Sequence, residues 1–572
     1  MGIMERKRWQ VAPPAPASFF EQLSSLHPLV AQVLYNRGIT NPAAANMFIS
    51  GTLTMNNPFN LMGVDIAVPL IRQAVARRLP IVVYGDYDVD GVTASAVLVQ
   101  VLHALGATVM TYIPKRDDEG YGLNIEAITS LYEEGVRVMI TVDCGIRSLE
   151  EVALARQLGM KVIVTDHHHV GDALPVAHAV INPRQPGCRY PFKDLAGVGV
   201  AYKLAQALLR ANHQVPLPHT RRNLDEKNLL DLVALGTVAD MVPLMGENHV
   251  LVAQGLEQIN AARRPGLSAL MSVTGSEPGK ITTNTISFAM APRLNAAGRI
   301  SEAMTALDLL LAPDMTVALP LAQELDALNA ERRTMTLAVQ DRARRMISDL
   351  EIIPPLLFAA SDDFPHGVVG LAASRLLDDY YRPAVVVAIE GEFSKGSARS
   401  IPEFHITQAL DTMPDLLVRH GGHAAAAGFT IRTEKLSEFK ARLLELAQKQ
   451  LVGLMLKPSL AIDIEVPLQT LSWDLFHEME KLQPFGYGNP LPVFVSHQVS
   501  VRSARAVGAD GRHLKLILND EQGKQWEAIA FRQGEWIGRL PSAIDLVYTL
   551  EANEWNGRVT LQLNVQDIHF SE

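Results

Sequence analysis

The sequence predicts an α/β protein of several domains: a doubly wound parallel sheet, a long connecting helix, a smaller α/β domain and a C-terminal β-barrel. Three observations support this fold class. From about residue 66, short apolar runs alternate with helix-like stretches of about ten to fifteen residues, which is the pattern of βαβ units. A stretch of about 30 residues that is nearly free of helix breakers follows later, and the last hundred or so residues alternate with period two.

The composition is that of an ordinary globular protein. Of the 572 residues, 48% are apolar and 20% are charged, and this length suggests roughly three or four domains. The two cysteines, Cys144 and Cys188, are too few for a disulfide framework or a four-cysteine zinc site. Because no apolar signal-peptide core and no uninterrupted apolar run of about 18 residues occurs, we expect a soluble protein of a reducing cytoplasm.

The net charge of −10 at pH 7 argues against a basic protein that coats nucleic acid. It does not exclude an enzyme that acts on nucleic acid. A cluster of carboxylates that binds divalent cations carries a negative formal charge, which the bound cations neutralise.

We interpret residues 1–65 as a peripheral N-terminal extension and residues 66–313 as the first α/β domain. Apolar runs predict five strands in this domain, and the stretches between them predict helices. The predicted strands are Ile81–Tyr84, Ala107–Ile113, Val136–Val142, Lys161–Thr165 and Ala179–Ile181, and the predicted helices are Gly91–Leu105, Ile125–Glu134 and Leu149–Leu158. In such a sheet the ligand site lies beyond the carboxyl ends of the strands.

Residues 314–350 predict a connector helix, because they are rich in Ala, Leu, Arg and Glu and their one breaker, Pro320, lies near the start. The arginines of this helix can line a cleft, or they can lie on a solvated face that acids of the same helix balance. We favour the solvated face. The arginines are Arg332, Arg333, Arg342, Arg344 and Arg345, and the acids are Glu324, Asp326, Glu331 and Asp341.

Residues 351–455 predict the smaller α/β domain, because the alternation of strands and helices resumes there. Residues 456–572 predict a barrel that resembles the OB-fold. Its signals are the alternating runs Leu514–Leu518 and Val559–Val565, each preceded by a hairpin turn pair, Asp510-Gly511 and Asn556-Gly557. The Gly- and Pro-rich segment Gln483–Pro492 in the same region indicates a hinge.

Acidic and histidine residues follow several predicted apolar elements at the point where each ends. They are Asp86, Asp88 and Asp90 after the first strand, Asp143, the run Asp166-His167-His168-His169, and Asp240. A single Asp after a strand is usually a helix cap. A calcium loop is excluded for the first run, because Val97 stands where that loop needs a twelfth-position carboxylate. Four clusters at one edge of a sheet instead indicate bound cations, since burying so many carboxylates without them is too unfavourable.

The ligand types narrow the choice of cation. Carboxylate oxygens and imidazole nitrogens without a thiolate favour Mn²⁺ or Mg²⁺ over structural Zn²⁺, and we interpret Cys144 as a packing residue. The ligands suffice for two cations that share a bridging carboxylate. Two such cations can activate a water and stabilise the charge that develops on a phosphate, so the predicted reaction is phosphoester hydrolysis.

These residues resemble the successive motifs of the DHH phosphoesterase superfamily. The matching segments are Asp86–Gly91, Gly120–Gly122, Asp143–Gly145, Asp166–His168 and Ala239-Asp240, together with Gly421–Phe429, which resembles the glycine-rich motif of the associated DHHA1 domain. The order of the motifs, the length and the C-terminal β-domain resemble one branch of the superfamily, the single-strand-specific 5′→3′ exonucleases of bacteria. This resemblance covers nearly the whole chain, with residues 66–313 as the DHH domain and residues 351–455 as the DHHA1 domain.

The resemblance also implies roles for individual residues. The implied metal ligands are Asp86, Asp88, Asp90, Asp143, His167, His168 and Asp240, with Asp86 either a ligand or just outside the ligand set. The implied catalytic residues are Asp143, which bridges the two cations, His168, which is a ligand or contacts the scissile phosphate, and Asp166, which orients a neighbouring imidazole. We interpret His169, which lies beyond the motif, as incidental.

Basic and glycine residues are candidates for holding the phosphates of the substrate. Ser397 and Arg399 lie two positions apart on a predicted strand and therefore point to one face, while Arg116 can form two hydrogen bonds with a phosphate. The resemblance implies that these three residues receive the 5′-terminal phosphate and so set the polarity. We interpret Gly421–Gly428 as a loop whose backbone amides can approach a phosphate. Further candidates are Gly422 and His423 of this loop, Arg293 and Arg299, and more weakly His366, which a structural role explains equally well.

Residues 461–572 contain nine Lys+Arg and fifteen Asp+Glu, so any strand-binding groove of the barrel must be local. The aromatic candidates for it can equally well be core residues. The candidates are Arg502, Arg505, Arg512 and Lys515 with Trp526, Phe531 or Trp555.

The predicted function is metal-dependent 5′→3′ hydrolysis of single-stranded DNA to 5′-mononucleotides in DNA recombination and repair. The resemblance implies a single-strand-binding protein and a helicase as partners, and we expect a cytoplasmic monomer with no membrane association. Two alternatives stay open. One is a DHH phosphoesterase that hydrolyses short oligonucleotides, cyclic dinucleotides or pyrophosphate, and the other is a non-enzymatic replication scaffold on the same fold.

Overall fold

A computed structural model describes residues 7–51, 54–115, 122–350, 352–555 and 557–571. The chain forms two compact units. The barrel unit comprises Met1–Thr54, Pro243–Gly246 and Lys457–Glu572, and the central unit comprises Met55–Val242 and Glu247–Leu456.

The central unit contains the predicted parallel sheet. Its five strands, in spatial order, are Val109–Tyr112, Ile81–Gly85, Val138–Val142, Lys161–Thr165 and Ala179–Ile181, and every neighbouring pair is parallel. All residues of the strands Ile81–Gly85 and Val138–Val142 are buried, which explains why both sequences are apolar without interruption. The chain order reverses between these two strands, so the doubly wound fold class is confirmed and its site is expected at their carboxyl ends.

The helices of the first domain lie around this sheet. They are Val64–Ala76, Val89–Leu105, Ile125–Glu133, Leu149–Gln157, Gly197–Gln214, Leu230–Ala239, Gly246–Asn260, Pro265–Thr274, Thr283–Thr285, the π-helix Ile286–Met290, Ala291–Ile300 and Met304–Leu311, with 3₁₀ turns at Pro58–Asn60 and Glu226–Leu229. The helix Val89–Leu105 begins where the Asp88 side chain accepts a hydrogen bond from Gly91 N and ends at Gly106 in the left-handed conformation.

The connector helix runs from Met315 to Ser348 and begins at the capping side chain of Asp314. It is followed by a mixed sheet in the order Leu417–His423, Ala426–Arg432, Phe393–Arg399, Ala384–Glu390 and Leu357–Ser361, with only the last pair parallel. The helices of this second domain are His366–Tyr380, Ile406–Asp411 and Leu436–Leu451, with a 3₁₀ turn at Thr433–Lys435.

The glycine-rich run of the second domain differs from its prediction as a loop. Gly421 pairs with Gly428 and Gly422 with Ala427, so the run forms two antiparallel strands. The physical reason is close packing, because a Cβ on Gly422 would lie 2.2 Å from Ala426 O.

The barrel unit closes a sheet upon itself. Its strands, in order, are Ile464–Glu465, Val493–Val507, His513–Asn519, Gln525–Ala530, Arg558–Phe570 and Ala543–Trp555, and the last pairs back with Val493–Val507. The helix Trp473–Glu480 and 3₁₀ turns at Leu468–Thr470 and Gly534–Trp536 complete this part. The predicted β-barrel is therefore present, and Asp510-Gly511 lies between two of its paired strands, whereas Asn556 lies outside the described residues.

The N-terminal segment is not the peripheral extension that the sequence suggested. The strand Arg8–Val11 pairs in parallel with Ser459–Ile462. The helices Ala17–Gln22, Pro28–Asn36 and Pro42–Ile49 share one buried core with the barrel, to which Phe19, Leu34 and Phe48 contribute. Sequence periodicity missed this packing because the partner surface lies more than 400 residues further along the chain.

The Gly- and Pro-rich segment Gln483–Pro492 is an ordered turn rather than a free hinge. Gly486 and Asn489 form a β-bridge, and the fully buried Asn489 amide donates to the carbonyl oxygens of Leu482 and Pro484. Tyr487 O accepts a hydrogen bond from Leu244 N, so this turn holds the segment Pro243–Gly246 within the barrel unit.

Within the described part of the chain, none of the helices is both long enough and apolar enough to cross a membrane.

Candidate metal centre

Three aspartates follow the buried strand Ile81–Gly85, and the local backbone brings them together. Asp86 and Asp90 are buried, while Asp88 is half-buried and caps the next helix through Gly91 N at 3.1 Å. A Cβ on Gly91 would lie 2.5 to 2.8 Å from the backbone of Asp86. The tight turn therefore needs glycine at position 91.

Asp90 is held by the beginning of another helix. Its Oδ2 accepts a hydrogen bond from Gly197 N at 2.6 Å, and its Oδ1 accepts one from Val198 N at 2.8 Å. These amides are the first of the helix Gly197–Gln214, and a helix N-terminus favours a negative charge. No sequence pattern predicts this support, because Asp90 and Gly197 lie more than 100 residues apart.

Asp143 follows the neighbouring strand Val138–Val142 and adopts a left-handed backbone conformation with φ of 60°. Its side chain is buried, and a Cβ on Gly197 would lie 2.6 Å from Asp143 Oδ1. The helix that holds Asp90 therefore also packs directly against Asp143.

Asp166 positions the two histidines that follow it. Its Oδ1 accepts hydrogen bonds from His167 N at 2.7 Å, His168 N at 3.0 Å and His168 Nδ1 at 2.8 Å, and its Oδ2 accepts one from Ile146 N. Burial alone would raise the pKa of Asp166, but the hydrogen bonds and charges of the histidines outweigh it and hold this pKa below its usual value. Asp166 thus holds the His168 ring through Nδ1, an arrangement that agrees with the orienting role that the resemblance implies.

The acids and histidines from these distant segments meet in one cluster. His167 Nε2 lies 3.1 Å from Asp143 Oδ1, 3.6 Å from Asp240 Oδ2 and 3.8 Å from Asp90 Oδ2. Three sets of side chains have ligand atoms within 4.8 Å of one another: Asp143, His167 and His168; Asp90, His167 and Asp240; and Asp86, Asp88 and Asp143. All seven residues that the sequence proposed as ligands therefore lie together, with Asp143 and His167 each in two sets.

The electrostatics of the cluster fit a cation. Burial, together with neighbouring carboxylates, raises the pKa of Asp90 to about 7 and raises the pKa values of Asp143 and Asp240 well above the usual range. Burial also lowers the pKa of His167 to about 3, so this imidazole is neutral and can donate a lone pair. Asp240 Oδ2 and His167 Nε2 are buried and make no hydrogen bond with any described residue. Bound divalent cations would satisfy both atoms.

Cys144 is not one of the ligands. Its Sγ lies 3.8 Å from Tyr84 O, and burial raises the pKa of the thiol, which keeps it protonated. The set of donors is therefore oxygen and imidazole nitrogen, which suits Mn²⁺ or Mg²⁺.

A cleft of about 580 Å³ opens beside the cluster within the central unit. His168 and Arg147 line it from the first domain, and Lys395, Gly422 and His423 line it from the second. The cleft can therefore hold an anionic ligand against the cluster.

The structure gives less direct evidence for the other residues that were predicted to contact phosphates. Arg399 Nη1 donates to Ser397 Oγ at 3.0 Å, so the two side chains share a face as predicted, and both lie beside Gly370. Arg293 pairs through Nε with Asp326 Oδ1 at 2.8 Å and donates from Nη1 to Ala289 O, which ties it to the connector helix. Arg116 lies outside the described residues.

Arg299 and His366 meet where two helices approach each other. A Cβ on Gly367 would lie 2.2 Å from Arg299 O, so the start of the helix His366–Tyr380 packs against the end of the helix Ala291–Ile300. His366 also lines the cleft.

His169 is more than an incidental residue. Its ring lines the cleft, meets the His423 ring edge-on at 5.9 Å between centroids, and lies with Nε2 3.0 Å from Arg184 Nη1. The signal that could have found it is its position directly after the two predicted ligands.

Two asparagines of the site gave no sequence signal at all. The fully buried Asn182 donates to His168 O and accepts from Arg184 N, and Asn295 accepts from Val89 N in the aspartate turn. A lone asparagine in a sequence carries no spacing that could reveal such a role.

Comparison with known proteins gives three family matches along the chain. Residues 80–237 match the DHH family N-terminal domain, residues 354–449 match the DHHA1 domain, and residues 462–567 match the RecJ OB domain.

Whole-chain relatives agree with these matches. The chain is 39% identical to the single-stranded-DNA-specific exonuclease RecJ of Bacillus subtilis, over all of this chain and 72% of that protein. The crystal structure of RecJ from Thermus thermophilus with Mn²⁺ superposes with a TM-score of 0.85 at 32% identity, covering 100% of this chain and 80% of that one. The same protein with Mg²⁺ gives a TM-score of 0.79 at 30% identity, covering 100% and 79%. The two cations that the sequence predicted are thus those of the similar structures.

Proposed function

The chain belongs to the RecJ family of single-stranded-DNA-specific exonucleases, and on that premise we propose that it hydrolyses single-stranded DNA from the 5′ end to mononucleotides, using two divalent cations, Mn²⁺ or Mg²⁺. The observation that carries the proposal is the meeting of seven acidic and imidazole side chains from distant segments around His167 and Asp143. No packing or capping role explains so many buried acids in contact.

The ligand sets support two cation sites, and we propose that Asp143 bridges them, because its carboxylate belongs to one set and lies 3.1 Å from His167 Nε2 of the other. Asp86, Asp88 and Asp143 would hold one cation, and Asp90, His167 and Asp240 would hold the other, with His168 next to Asp143. Bound there, the cations lower the pKa of a water and stabilise the charge that develops on the scissile phosphate.

The residues of the chain preorganise this site. The helix N-terminus at Gly197 fixes both oxygens of Asp90, and Asp166 fixes the rings and backbone of the histidine pair. The burial of these groups excludes bulk water, so little reorganisation is needed when the substrate binds.

The direction of degradation depends on where the terminal phosphate binds. We propose that Arg116, Ser397 and Arg399 receive the 5′ phosphate, with Gly422 and His423 of the cleft supporting the neighbouring phosphate. Arg293 and Arg299 would contact the backbone indirectly, because Arg293 is already paired with Asp326. We also propose that the enzyme works in the cytoplasm as a monomer, in DNA repair and recombination, with a single-strand-binding protein and a helicase.

The decisive experiment is digestion of 5′- and 3′-end-labelled single strands and duplexes with Mn²⁺ or Mg²⁺. We expect the 5′ label to be released first as a mononucleotide from the single strand, while the duplex persists. A label released first from the 3′ end would refute the polarity, and no cleavage of a long single strand would favour a hydrolase of short oligonucleotides.

Asp143→Ala tests the metal assignment. We expect a loss of at least about 10³-fold in kcat/KM, because the variant removes the proposed bridging carboxylate, which belongs to two of the three ligand sets. Asp172→Ala, at an exposed carboxylate of the same domain, is the matched control. Unchanged turnover in a folded Asp143→Ala protein would refute the assignment.

A further inference from the structure

The connector helix has a polar segment in the middle of its buried face. At one end this face is apolar with Ala318, Ala322 and Leu325, and at the other end with Val339, Ala343 and Ile347. Between these ends lie Asn329, Arg332 and Thr336. Buried polar and charged groups are unfavourable unless they are satisfied, so this segment needs an explanation.

Arg332 has no partner for its charge. Its side chain is half-buried, its Nε is buried, and the guanidinium makes neither a hydrogen bond nor an ion pair with any residue that the structure describes. Other arginines of the helix are paired, Arg342 with Asp363 and Arg344 with Asp379. Asp363 and Asp379 lie outside the connector helix, and only Asp341, at 3.8 Å from Arg344, balances one of these arginines from within it. The predicted solvated face balanced by acids of the same helix therefore holds only in part for Arg344 and is wrong for Arg332.

The charged groups around Arg332 are themselves positive and do not neutralise its charge. Burial first, and then the charges of Arg333 and Arg375, lower the pKa of Arg332. Asn329, one helical turn away, is 4% exposed, and its Oδ1 is buried without a hydrogen bond. The Nδ2 of this amide is a hydrogen-bond donor of the kind that a phosphate oxygen accepts.

A half-buried guanidinium without a counter-charge is unfavourable unless a ligand supplies one. Its fork of N–H donors fits the oxygens of a phosphate, to which it can form two parallel hydrogen bonds. The proposed substrate carries one phosphate for every nucleotide, and the connector helix joins the two domains that line the cleft.

We propose that Arg332, with Asn329, binds an internal phosphodiester of the single strand, away from the terminal phosphate, and so holds the strand during degradation. This inference rests on the proposed function. It assigns to the connector helix a role in substrate binding besides joining the two domains.

The salt dependence of strand binding tests the proposal. Binding is measured on a 5′-phosphorylated single strand in the Asp143→Ala background, which prevents degradation, for proteins with Arg332, Arg332→Gln and Arg332→Lys. We expect Arg332→Gln to weaken binding roughly 10- to 100-fold and to reduce the slope of log affinity against log salt by about 0.7, the value of one phosphate contact. Arg332→Lys should keep the slope and recover part of the affinity, because it keeps the charge but loses the fork.

Arg345→Gln is the matched control, because Arg345 is exposed on the same helix. A second readout uses the active enzyme with a long strand and with a dinucleotide that carries the same 5′ phosphate. Arg332→Gln should lower kcat/KM on the long strand and leave the dinucleotide unchanged, whereas a purely structural defect would lower both.

Two outcomes would overturn the inference. One is an unchanged salt slope for Arg332→Gln. If inorganic phosphate then stabilises only the protein with Arg332 against heat, the site belongs to a free anion. The other is an equal loss of kcat/KM on the long strand and on the dinucleotide, which would assign a purely structural role to Arg332. If the protein with Arg332 neither binds nor degrades single strands, the proposed function itself fails, and this result is distinct from the other two.

Discussion

Asp90 illustrates how a single carboxylate of the site depends on its surroundings. Two backbone amides of a helix N-terminus donate to its oxygens, which favours the charged form, yet burial and Asp88 raise its pKa to about 7. The balance changes when a divalent cation binds, because the cation favours the deprotonated form.

This balance predicts how pH affects the metal-free protein. The folded-state pKa of Asp90 lies above the value of the unfolded chain, so its stabilising contribution is present at low pH and is lost as pH rises through about 7. The raised pKa of His168 acts in the same direction. His167, with a pKa of about 3 in the folded state, opposes this trend only below the unfolded-state value of about 6.5.

We therefore expect the free energy of unfolding in EDTA to fall between about pH 6.5 and pH 8.5, as measured by urea denaturation. Saturating Mn²⁺ should remove or reverse this fall, and Asp90→Asn should flatten it without metal. A metal-free protein that became more stable over this range would contradict the shifted pKa values.

At this scale the sequence predicted the acids and histidines that meet in the cluster, but apart from Asp166 it did not predict the residues that support them. The aspartates and histidines could be found because each follows an apolar run, and such positions converge at one edge of a parallel sheet. Asn182, Asn295 and Arg332 could not be found, because their roles depend on which segments pack against them. The sequence alone does not show whether a charged side chain on a helix is solvated or buried.

At the scale of elements, the helix Gly197–Gln214 organises the site more than any other. Its first amide donates to Asp90, and its first residue has no room for a side chain next to Asp143. The N-terminus of one helix thus positions both Asp143 and Asp90.

Gly197→Ala tests this role. The added Cβ would lie 2.6 Å from Asp143 Oδ1, so Asp143 or the helix must shift. A displacement of about 1 Å at a catalytic group can cost about 10²-fold, and we expect losses of this order in kcat/KM, with weaker Mn²⁺ binding by calorimetry.

Gly199→Ala is the control in the same helical turn, because its Cβ would meet only the Leu195 side chain, at 3.2 Å, and this side chain can shift. Equal effects of the two substitutions would show that helix propensity, and not the contact with Asp143, is responsible.

The predicted strands and helices of the first domain are close to those observed, because their apolar periodicity is strong. The strands Lys161–Thr165 and Ala179–Ile181 have the predicted bounds, and the helix Val89–Leu105 begins two residues earlier than predicted, at its Asp88 cap. The glycine-rich run was misread as a loop because glycine is rare within strands, and only the close packing of the neighbouring strand explains it there.

At the scale of the whole molecule, the main surprise is the barrel unit. Its core contains Phe19 and Leu34 from the N-terminal helices together with Trp526 and Tyr548 from the barrel. An ion pair between Arg37 and Asp463, at 2.8 Å and largely buried, joins the same two segments. No local pattern in a sequence can reveal a pairing over such a distance.

Phe19→Ala tests whether the N-terminal helices stabilise the barrel. Truncating a buried Phe costs about 3–5 kcal/mol, so we expect the barrel unit to unfold at clearly lower urea concentration. All five tryptophans belong to this unit, and tryptophan fluorescence therefore reports its unfolding alone.

Val11→Ala, which truncates a side chain that is 47% exposed, should change stability by less than about 0.5 kcal/mol. The activity of Phe19→Ala on a dinucleotide should be retained, because the metal ligands belong to the central unit. An unchanged fluorescence transition would mean that the barrel does not need the N-terminal helices.

The discontinuous barrel unit also has a consequence for biosynthesis. The ribosome releases the helices Ala17–Gln22, Pro28–Asn36 and Pro42–Ile49 first, but their partner strands emerge only after roughly 400 further residues, which takes on the order of 20–80 s at about 5–20 residues per second. During that time Phe19, Leu34 and Phe48 have no surface to pack against. The nuclease centre can therefore mature on the nascent chain before the barrel completes its core, and the exposed apolar side chains of these three helices are a site at which a chaperone can act.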